Sequence, residues 1–496
     1  MDNYLLISLI LVPALAAIVV AFVPREKISE IRILSGIVAF ALFVMSVYAF
    51  INYDKDVGGY QFTKDFAWLD ALGIQLSMGI DGISTTMVLL TGIVSFTAVL
   101  ISWNIEHRAK DFFVLFLLLV SGVYGVFVSL DLFFFFFFYE LAVLPMYLLI
   151  GVWGSSSDFV TFIRNKEYAA LKLMLYLVAG SILVWVALLA VYVEGDMNSF
   201  SLLKLQDAEF SEDFQRLYFP MFMVGFGVLA GLWPFHTWSP DGHVSAPTSV
   251  SMLHAGVLMK LGAYGIIRIG VDLLPQGAEY WMPLLMILGT INVVYGAVSA
   301  LSQTDLKYVI GYSSVSHMGY VFMGLATLNA TGMGGAVLQM FSHGIMTALF
   351  FALVGVIYDR SHVRDIGILE GLSKRMGWTA SFFAIAGLAS LGLPGLSGFV
   401  AEVLVFIGTF KDYPIFGVLG IIGAAITAVY ILRLLGKVFF GPISEDWKTL
   451  PDANNVEKFS AGILVLFLLV VGLYPKPWMD LINTGLSPLI ERVAGL

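Results

Sequence analysis

The stretch DLFFFFFFYELAVLPMYLLIG, residues 131–151, contains six consecutive phenylalanines and, soon after them, Glu140. The stretch is long enough to cross a bilayer, since a transmembrane helix needs about 20 mostly apolar residues. An ionisable side chain at membrane depth is costly, by roughly 2.5–3.5 kcal/mol on insertion scales. It persists only where it faces protein or water. This stretch therefore predicts a transmembrane helix that carries a functional carboxylate.

The composition of the whole chain is that of a membrane protein. Of its 496 residues, 59% are hydrophobic and 12% charged, whereas a soluble domain carries about 25% charged residues. The lack of cysteine excludes disulfides and cysteine-bound zinc or iron–sulfur clusters. There is no Walker loop, no glycine-rich dinucleotide motif and no basic patch. We therefore expect no cofactor on this chain and no nucleic-acid partner.

Hydropathy predicts about fourteen membrane spans. They cover residues 4–22, 32–52, 84–104, 112–129, 131–152, 168–193, 217–235, 245–271, 281–301, 307–327, 333–358, 378–410, 414–436 and 459–474. The seventh span runs into WPFHTWSPDGH (233–243), and the twelfth contains LGLPGLSG (391–398). Both predict helices that break at membrane depth, where protein or water must cover the freed backbone groups. The first span lacks signal-peptide features and is expected to be retained.

Spans 4–8 and 9–13 form two blocks of five, each with a broken helix at a similar place. Broken helices within inverted repeats mark the transport site of many transporters. The predicted fold is an all-α polytopic membrane protein with two inverted five-helix repeats. Its regions are helices 1–4 in residues 1–130 (helix 4 begins the first repeat), the first half-channel (helices 5–8) in 131–275, the rest of the second repeat (helices 9–13) in 276–440, and a C-terminal connection with helix 14 in 441–496.

The distribution of lysine and arginine predicts the orientation. With the N-terminus outside, the inner loops and adjoining span ends hold about 16 of the Lys and Arg residues, a clear majority, as the positive-inside rule requires. Both termini are therefore expected on the outer side.

Several ionisable side chains lie within the predicted spans. They are Glu140, Lys172, His254, Lys260, His317, His343 and Glu402. Such a set suits proton transfer, because burial raises the pKa of carboxyl groups and lowers that of ammonium groups towards neutral pH, where histidine already titrates. Pumping against a membrane potential costs about 2.3 kcal/mol per charge per 100 mV, and nothing in the sequence supplies that energy.

Each of these residues also has a structural interpretation. The two glutamates would serve as structural ion-pair partners and Lys260 would have a structural role, although it lies too deep to reach the headgroups easily. The histidines would hydrogen-bond backbone or neighbouring side chains, and Lys172 would reach the inner headgroups. His236 and His243, in the polar connection after the seventh span, are as compatible with a gate as with a structural cap.

Four stretches resemble the antiporter-like membrane subunits of NADH–quinone oxidoreductase, the bacterial complex I. They are WPFHTWSPDGHVSAPTSVSMLHAGVLMKLGAYGIIR (233–268), QTDLKYVIGYSSVSHMGYV (303–321), FSHGIMTALFFALVGVIYDRSHVRDI (341–366) and LGLPGLSGFVAEVLVFIG (391–408). The resemblance covers roughly residues 80–440 and is closest to the subunit M family, which is related to the D component of Mrp-type cation/proton antiporters.

The resemblance implies a proton path through a central row of charged residues. It matches Glu140 to the essential glutamate of the fifth helix, Lys260 to the central lysine of the eighth, and Glu402 to a glutamate of the twelfth at the outer end of the path. His317 and His343 match histidines of the tenth and eleventh helices.

The sequence departs from the family pattern at Leu229. The family usually has a lysine there, seven residues before the His of PFHTW, which pairs with the fifth-helix glutamate. Lys172, in contrast, matches a lysine often found in the sixth helix. Our hypothesis is that Glu140 works with His254 or Lys172 instead.

The implied function is that of a proton-translocating, non-redox membrane-arm subunit of NADH–quinone oxidoreductase in a bacterial inner membrane, with both termini periplasmic. NADH, FMN, iron–sulfur clusters and quinone are expected on partner subunits. Other membrane-arm subunits are expected as further partners of this chain. The alternatives are a component of a cation/proton antiporter, a subunit of a ferredoxin-, formate- or hydrogen-linked redox pump, or a proton-inactive scaffold, which only Leu229 favours.

Overall fold

Long apolar runs dictate a helical fold, because inside a bilayer each backbone polar group must be satisfied within the protein. A computed structural model describes residues 4–158, 163–195 and 199–495. In this part of the chain, eleven helices are long and apolar enough to cross a membrane. The prediction of a helical, multi-pass membrane protein is confirmed. The total of fourteen spans, the inverted repeats and the four regions stay predictions.

The helices are numbered here in chain order. They are α1 (Leu5–Phe22), α2 (Ile28–Asn52), α3 (Gly82–Ile101), α4 (Ala109–Val128), α5 (Leu132–Trp153), α6 (Lys166–Glu194), α7 (Leu202–Leu205), α8 (Glu212–Ala230), α9 (Trp238–Ser245), α10 (Thr248–Leu253), α11 (Met259–Gly265), α12 (Pro275–Ser302), α13 (Leu306–Ala326), α14 (Ala330–Ser361), α15 (Gly377–Ser390), α16 (Ser397–Asp412), α17 (Pro414–Phe439), α18 (Asn455–Leu473) and α19 (Lys476–Ala494).

A π-helical segment, His254–Leu258, joins α10 to α11, and a second, Ile266–Val271, follows α11, so that Thr248–Val271 is one continuous helix. Short 3₁₀ turns occupy Asp70–Leu72, Ser102–Asn104, Leu372–Lys374 and Glu445–Trp447. Because π turns are rare and frequently occur at functional sites, their position on either side of α11 draws attention to this helix.

Both predicted broken helices are present. The first consists of α8 and α9, separated by residues 231–237, and the second of α15 and α16, separated by residues 391–396. Gly231 ends α8 with a φ of 79°, and Gly392 follows α15 with a φ of 72°. Glycine adopts this left-handed conformation without steric cost, so these positions allow each helix to stop within the bundle.

Three helices form the centre of the bundle. α3, the helix Thr248–Val271 and α14 are almost completely buried. In α1, α2 and α17, less than half of the most apolar stretch of the helix is buried. The outer helices expose large apolar side chains such as Leu15 and Ile421, as lipid-facing surfaces do. Together with α13, in which every residue except Tyr312 is buried, the three central helices carry four of the seven titratable residues that the sequence singled out: His254, Lys260, His317 and His343.

Three features were not predicted. β1 (Gln61–Leu69) and β2 (Ile74–Ile80) form an antiparallel hairpin between α2 and α3. Two-residue strands, β3 (Ser157–Asp158) and β4 (Ile163–Arg164), also pair. In the C-terminal region we predicted a single helix, but α19 follows α18. Its polar face lowers its hydropathy, so a search for apolar spans passes over it.

The start of α3 packs directly on α19. A Cβ added at Gly82 would lie 1.7 Å from the carbonyl oxygen of Leu481. We expect Gly82→Ala to push α19 away and to lower the free energy of unfolding by about 1–3 kcal/mol, measured as a lower Tm of the purified protein. In Gly462→Ala, the matched control in α18, the added Cβ meets nothing within 4 Å, so the Tm should not fall. Equal Tm values for the two variants would contradict this packing.

A buried row of titratable side chains

The centre of the candidate site is a contact between a lysine and a histidine. Lys260 lies on α11 and His343 on α14, and both are buried. The Nζ of Lys260 is 2.8 Å from the Nδ1 of His343 and also donates to the carbonyl oxygen of Ala255. Within the described residues, the Nε2 of His343 has no hydrogen-bond partner. The lysine is thus linked to a group that can hold a proton.

From His343 the row continues to Glu402. The ring centroids of His343 and His317 are 5.4 Å apart. The Nδ1 of His317 lies 3.5 Å from the Oε1 of Glu402 and 3.2 Å from the Nε2 of Gln339, and its Nε2 is 3.0 Å from the hydroxyl of Ser390. Glu402 is buried on α16, just after the break. The second broken helix therefore supplies the carboxylate at this end.

In the other direction the row reaches the first broken helix. The rings of His254 and His243 are 4.1 Å apart, and His254 also stacks on Trp238 at 5.2 Å. The Nε2 of His243 is 3.0 Å from the hydroxyl of Ser239. His254 lies on the same continuous helix as Lys260, Thr248–Val271. His243, on α9, thus links the half-helix to the helix that carries the central lysine.

The first turn of α9 holds a buried carboxylate with three partners. The Oδ2 of Asp241 accepts from the Nζ of Lys172 at 2.8 Å and from Arg164 at 3.0 Å, and its Oδ1 accepts from the hydroxyl of Tyr308 at 3.0 Å. Lys172 is therefore an ion-pair partner of Asp241. The sequence hypothesis had offered it as a partner of Glu140.

Glu140 stands apart from this row. It is half-buried on α5, its Oε1 has no hydrogen-bond partner among the described residues, and the hydroxyl of Ser181 on α6 is its polar neighbour. Pro145 lacks the N–H that would bind the carbonyl of Leu141, so the backbone beside Glu140 has an unused acceptor. Leu229, where the family usually has lysine, is fully buried on α8.

Sequence reasoning found five members of the row and missed two. Five of the side chains that the sequence singled out lie in the row: Lys260, His343, His317, Glu402 and His254. Asp241 was not considered, and His243 was considered only as a gate or cap. Their signal was the polar composition of the break, because a polar half-helix at membrane depth must line a site rather than face lipid.

A second charged cluster lies at the other end of the helix Thr248–Val271. Arg268 pairs with Asp81 and, at 3.6 Å, with Asp272, which also accepts from Arg492 of α19 at 2.9 Å. Sequence reasoning did not single out this cluster. It ties the C-terminal helix to the helix that carries Lys260. Within the described residues, no group of three or more His, Asp or Glu side chains is arranged to hold a metal ion.

Two broken helices, a buried chain of titratable groups and a multi-pass helical fold define the class of antiporter-like membrane subunits. Residues 129–427 match the family described as NADH:quinone oxidoreductase/Mrp antiporter, TM. The chain belongs to this family, as the resemblance implied.

Curated relatives cover nearly the whole chain. NAD(P)H-quinone oxidoreductase chain 4 1 of Synechococcus elongatus is 39% identical over 498 residues, which span 98% of this chain and 92% of the relative. NAD(P)H-quinone oxidoreductase chain 4 of Gloeobacter violaceus is 35% identical, spanning 95% of this chain and 90% of the relative. The relatives are thus subunits of NAD(P)H-quinone oxidoreductases.

Solved structures have the same fold. A chain of respiratory complex I from Thermus thermophilus, solved with bound NADH, aligns with a TM-score of 0.89 and 26% identity over 100% of this chain and 99% of that chain. A chain of the Mrp complex from Dietzia sp. aligns with a TM-score of 0.86 over 99% of this chain and 98% of that one. The second likeness, at 20% identity, shows the fold alone.

Proposed function

We propose that the chain translocates protons as a membrane-arm subunit of an NADH–quinone oxidoreductase. The observation that carries this proposal is the buried row, in which Lys260, His343, His317 and Glu402 follow one another and the neighbouring rings of His254 and His243 join the helix of Lys260 to α9, which also holds Asp241. Buried ionisable groups are expensive in a membrane and mark proton relays. Such a set of acids, bases and imidazoles between two broken helices is suited to passing a proton from group to group.

Each residue has a role that its contacts support. Lys260 is the central proton carrier, since it is buried and touches His343. His343 and His317 relay the proton to Glu402, and His254 with His243 connects Lys260 to α9. Glu140 is the switch of the first half, because one oxygen of its carboxylate, beside Ser181, has no hydrogen-bond partner in the part of the chain that the structure describes. Lys172 holds Asp241 in place.

The energy for translocation comes from electron transfer on partner subunits in this proposal. NADH, FMN, iron–sulfur clusters and quinone are assigned to those partners, and the chain's immediate neighbours are other membrane-arm subunits. The chain lies in a bacterial inner membrane with both termini on the periplasmic side, as the excess of Lys and Arg in the opposite loops favours.

The first experiment is purification of the complex from native membranes through a tag on this chain, with mass spectrometry of the subunits that accompany it. We expect flavin- and iron–sulfur-binding subunits, a subunit with an NADH site, and donor-driven proton uptake after reconstitution in vesicles. The matched control is the untagged strain taken through the same purification.

Two other outcomes would refute the proposal in different ways. Isolation with small antiporter subunits alone would assign the chain to a cation/proton antiporter. Isolation with redox subunits that accept electrons from ferredoxin, formate or hydrogen, but not from NADH, would retain proton translocation and replace the electron donor.

A further inference from the structure

Hydrogen-bond donors from four segments of the chain bind the C-terminal end of the half-helix α9. A helix end leaves carbonyl groups without partners inside the helix. In α9, the carbonyls of residues 243–246 accept hydrogen bonds from Ser155 after α5, Ser251 of α10, Lys307 of α13 and Arg364 after α14. Two of these donors lie in the predicted first repeat and two in the predicted second repeat.

The two donors from the second repeat are cations. The Nζ of Lys307 is 2.8 Å from the carbonyl oxygen of Ala246 and 3.4 Å from that of Val244, which also accepts from Arg364 at 3.3 Å. Both side chains are buried. Cations are favoured at a helix C-terminus by the helix dipole, and hydrogen bonds from charged groups are worth about twice those between neutral ones.

The same turn of α13 also binds the first turn of α9. Tyr308, next to Lys307 in sequence, donates to the carboxylate of Asp241 at 3.0 Å. Asp305 caps α13 by accepting from the backbone N–H of Lys307 and Tyr308, and pairs with Arg364 at 3.2 Å. The first turn of α13 therefore binds α9 at two places, one before His243 in the sequence and one after it.

We infer that Lys307, supported by Arg364, is a positioning residue that fixes the half-helix α9 and thereby holds Asp241 and His243 in the row. Lys307 acts through backbone carbonyls and does not touch the row itself. The inference deepens the proposed function and rests on it for its meaning in proton transfer, but the position of α9 can be measured independently.

The absence of cysteine from the chain allows a direct test. Ser245→Cys places one thiol on the buried C-terminal turn of α9, and its rate of labelling by a maleimide in the intact complex reports how often that turn opens. Adding Lys307→Met should raise the labelling rate about tenfold, since a charge-assisted hydrogen bond is lost. Adding Lys307→Arg should keep it within about twofold, because the cation is retained.

The matched control is Lys374→Met, which removes an exposed lysine from the predicted inner face and should leave the labelling rate unchanged. Arg364→Gln is a second variant with a smaller expected increase, about threefold, because Val244 keeps Lys307 as a donor. If Lys307→Met does not assemble, Arg364→Gln decides alone.

The results for α9 and for proton transfer are separable. Faster labelling in Lys307→Met or Arg364→Gln, together with a lower ratio of protons translocated to electrons transferred in assembled complexes, supports the inference. Wild-type labelling rates in the assembled variants overturn it, whatever the pumping activity. Isolation of the tagged chain with small antiporter subunits alone would instead refute the proposed function and leave the labelling result on α9 valid.

Discussion

Lys260→Met should lower proton translocation by about a hundredfold, the lower end of what a positioned acid or base contributes to proton transfer. Methionine has nearly the length and volume of lysine, so the packing of α11 is preserved. The substitution removes the only ammonium group in contact with the Nδ1 of His343 among the described residues. Proton transfer through the row is then interrupted at its central residue.

The measurement is donor-driven acidification of inverted vesicles, normalised to the amount of assembled complex. Lys411→Met is the matched control, because it removes an exposed lysine near the end of α16 and should pump at the wild-type rate. A Lys260→Met complex that assembles and pumps within about twofold of wild type would remove Lys260 from the path, since general acid–base groups contribute far more than that.

Glu140→Gln should cause a comparable loss, although Glu140 lies outside the row. The substitution keeps the shape of the side chain and removes its ability to carry charge. If the carboxylate is the switch of the first half, the amide cannot change its electrostatic effect when the complex turns over. Proton translocation per electron should therefore fall, and Glu167→Gln, at an exposed position in the first turn of α6, is the control.

The partner of Glu140 can be found with two further variants. His254→Ala tests the histidine that stacks on Trp238 and His243, and Lys172→Met tests the lysine that pairs with Asp241. Loss of pumping in Glu140→Gln with normal pumping in His254→Ala would reject His254 as its partner. Because the structure pairs Lys172 with Asp241, we expect Lys172→Met to act on α9.

The sequence was sufficient for the membrane class and for both broken helices, because apolar length and the Gly–Pro clusters at the breaks are local signals. It also identified Lys260, His343, His317 and Glu402, since ionisable groups are conspicuous in apolar spans. Their mutual contacts were not accessible in this way. They depend on how α11, α13, α14 and α16 pack, which hydropathy does not determine.

Other features were missed for the same physical reason. The hairpin β1–β2 and helix α19 lie outside the apolar spans, so hydropathy, the strongest signal in a membrane sequence, does not reveal them. Asp241 and its partners Arg164 and Tyr308 come from separate segments of the chain. A single carboxylate in a polar connection gives no indication that a folded protein will surround it with three donors.

The capping of α9 has a consequence for how the protein is made. Arg364 lies 120 residues after Val244 and 207 residues after Ser157, both of which it binds. During synthesis, α9 is inserted long before this arginine leaves the ribosome. The first half of the chain therefore cannot supply all the hydrogen bonds at the end of its own half-helix. The carbonyl groups that bind Lys307 and Arg364 lack these donors until α13 and the segment after α14 have been synthesised. Such long-range closure is slow, which makes an early-terminated chain a poor source of a working first half.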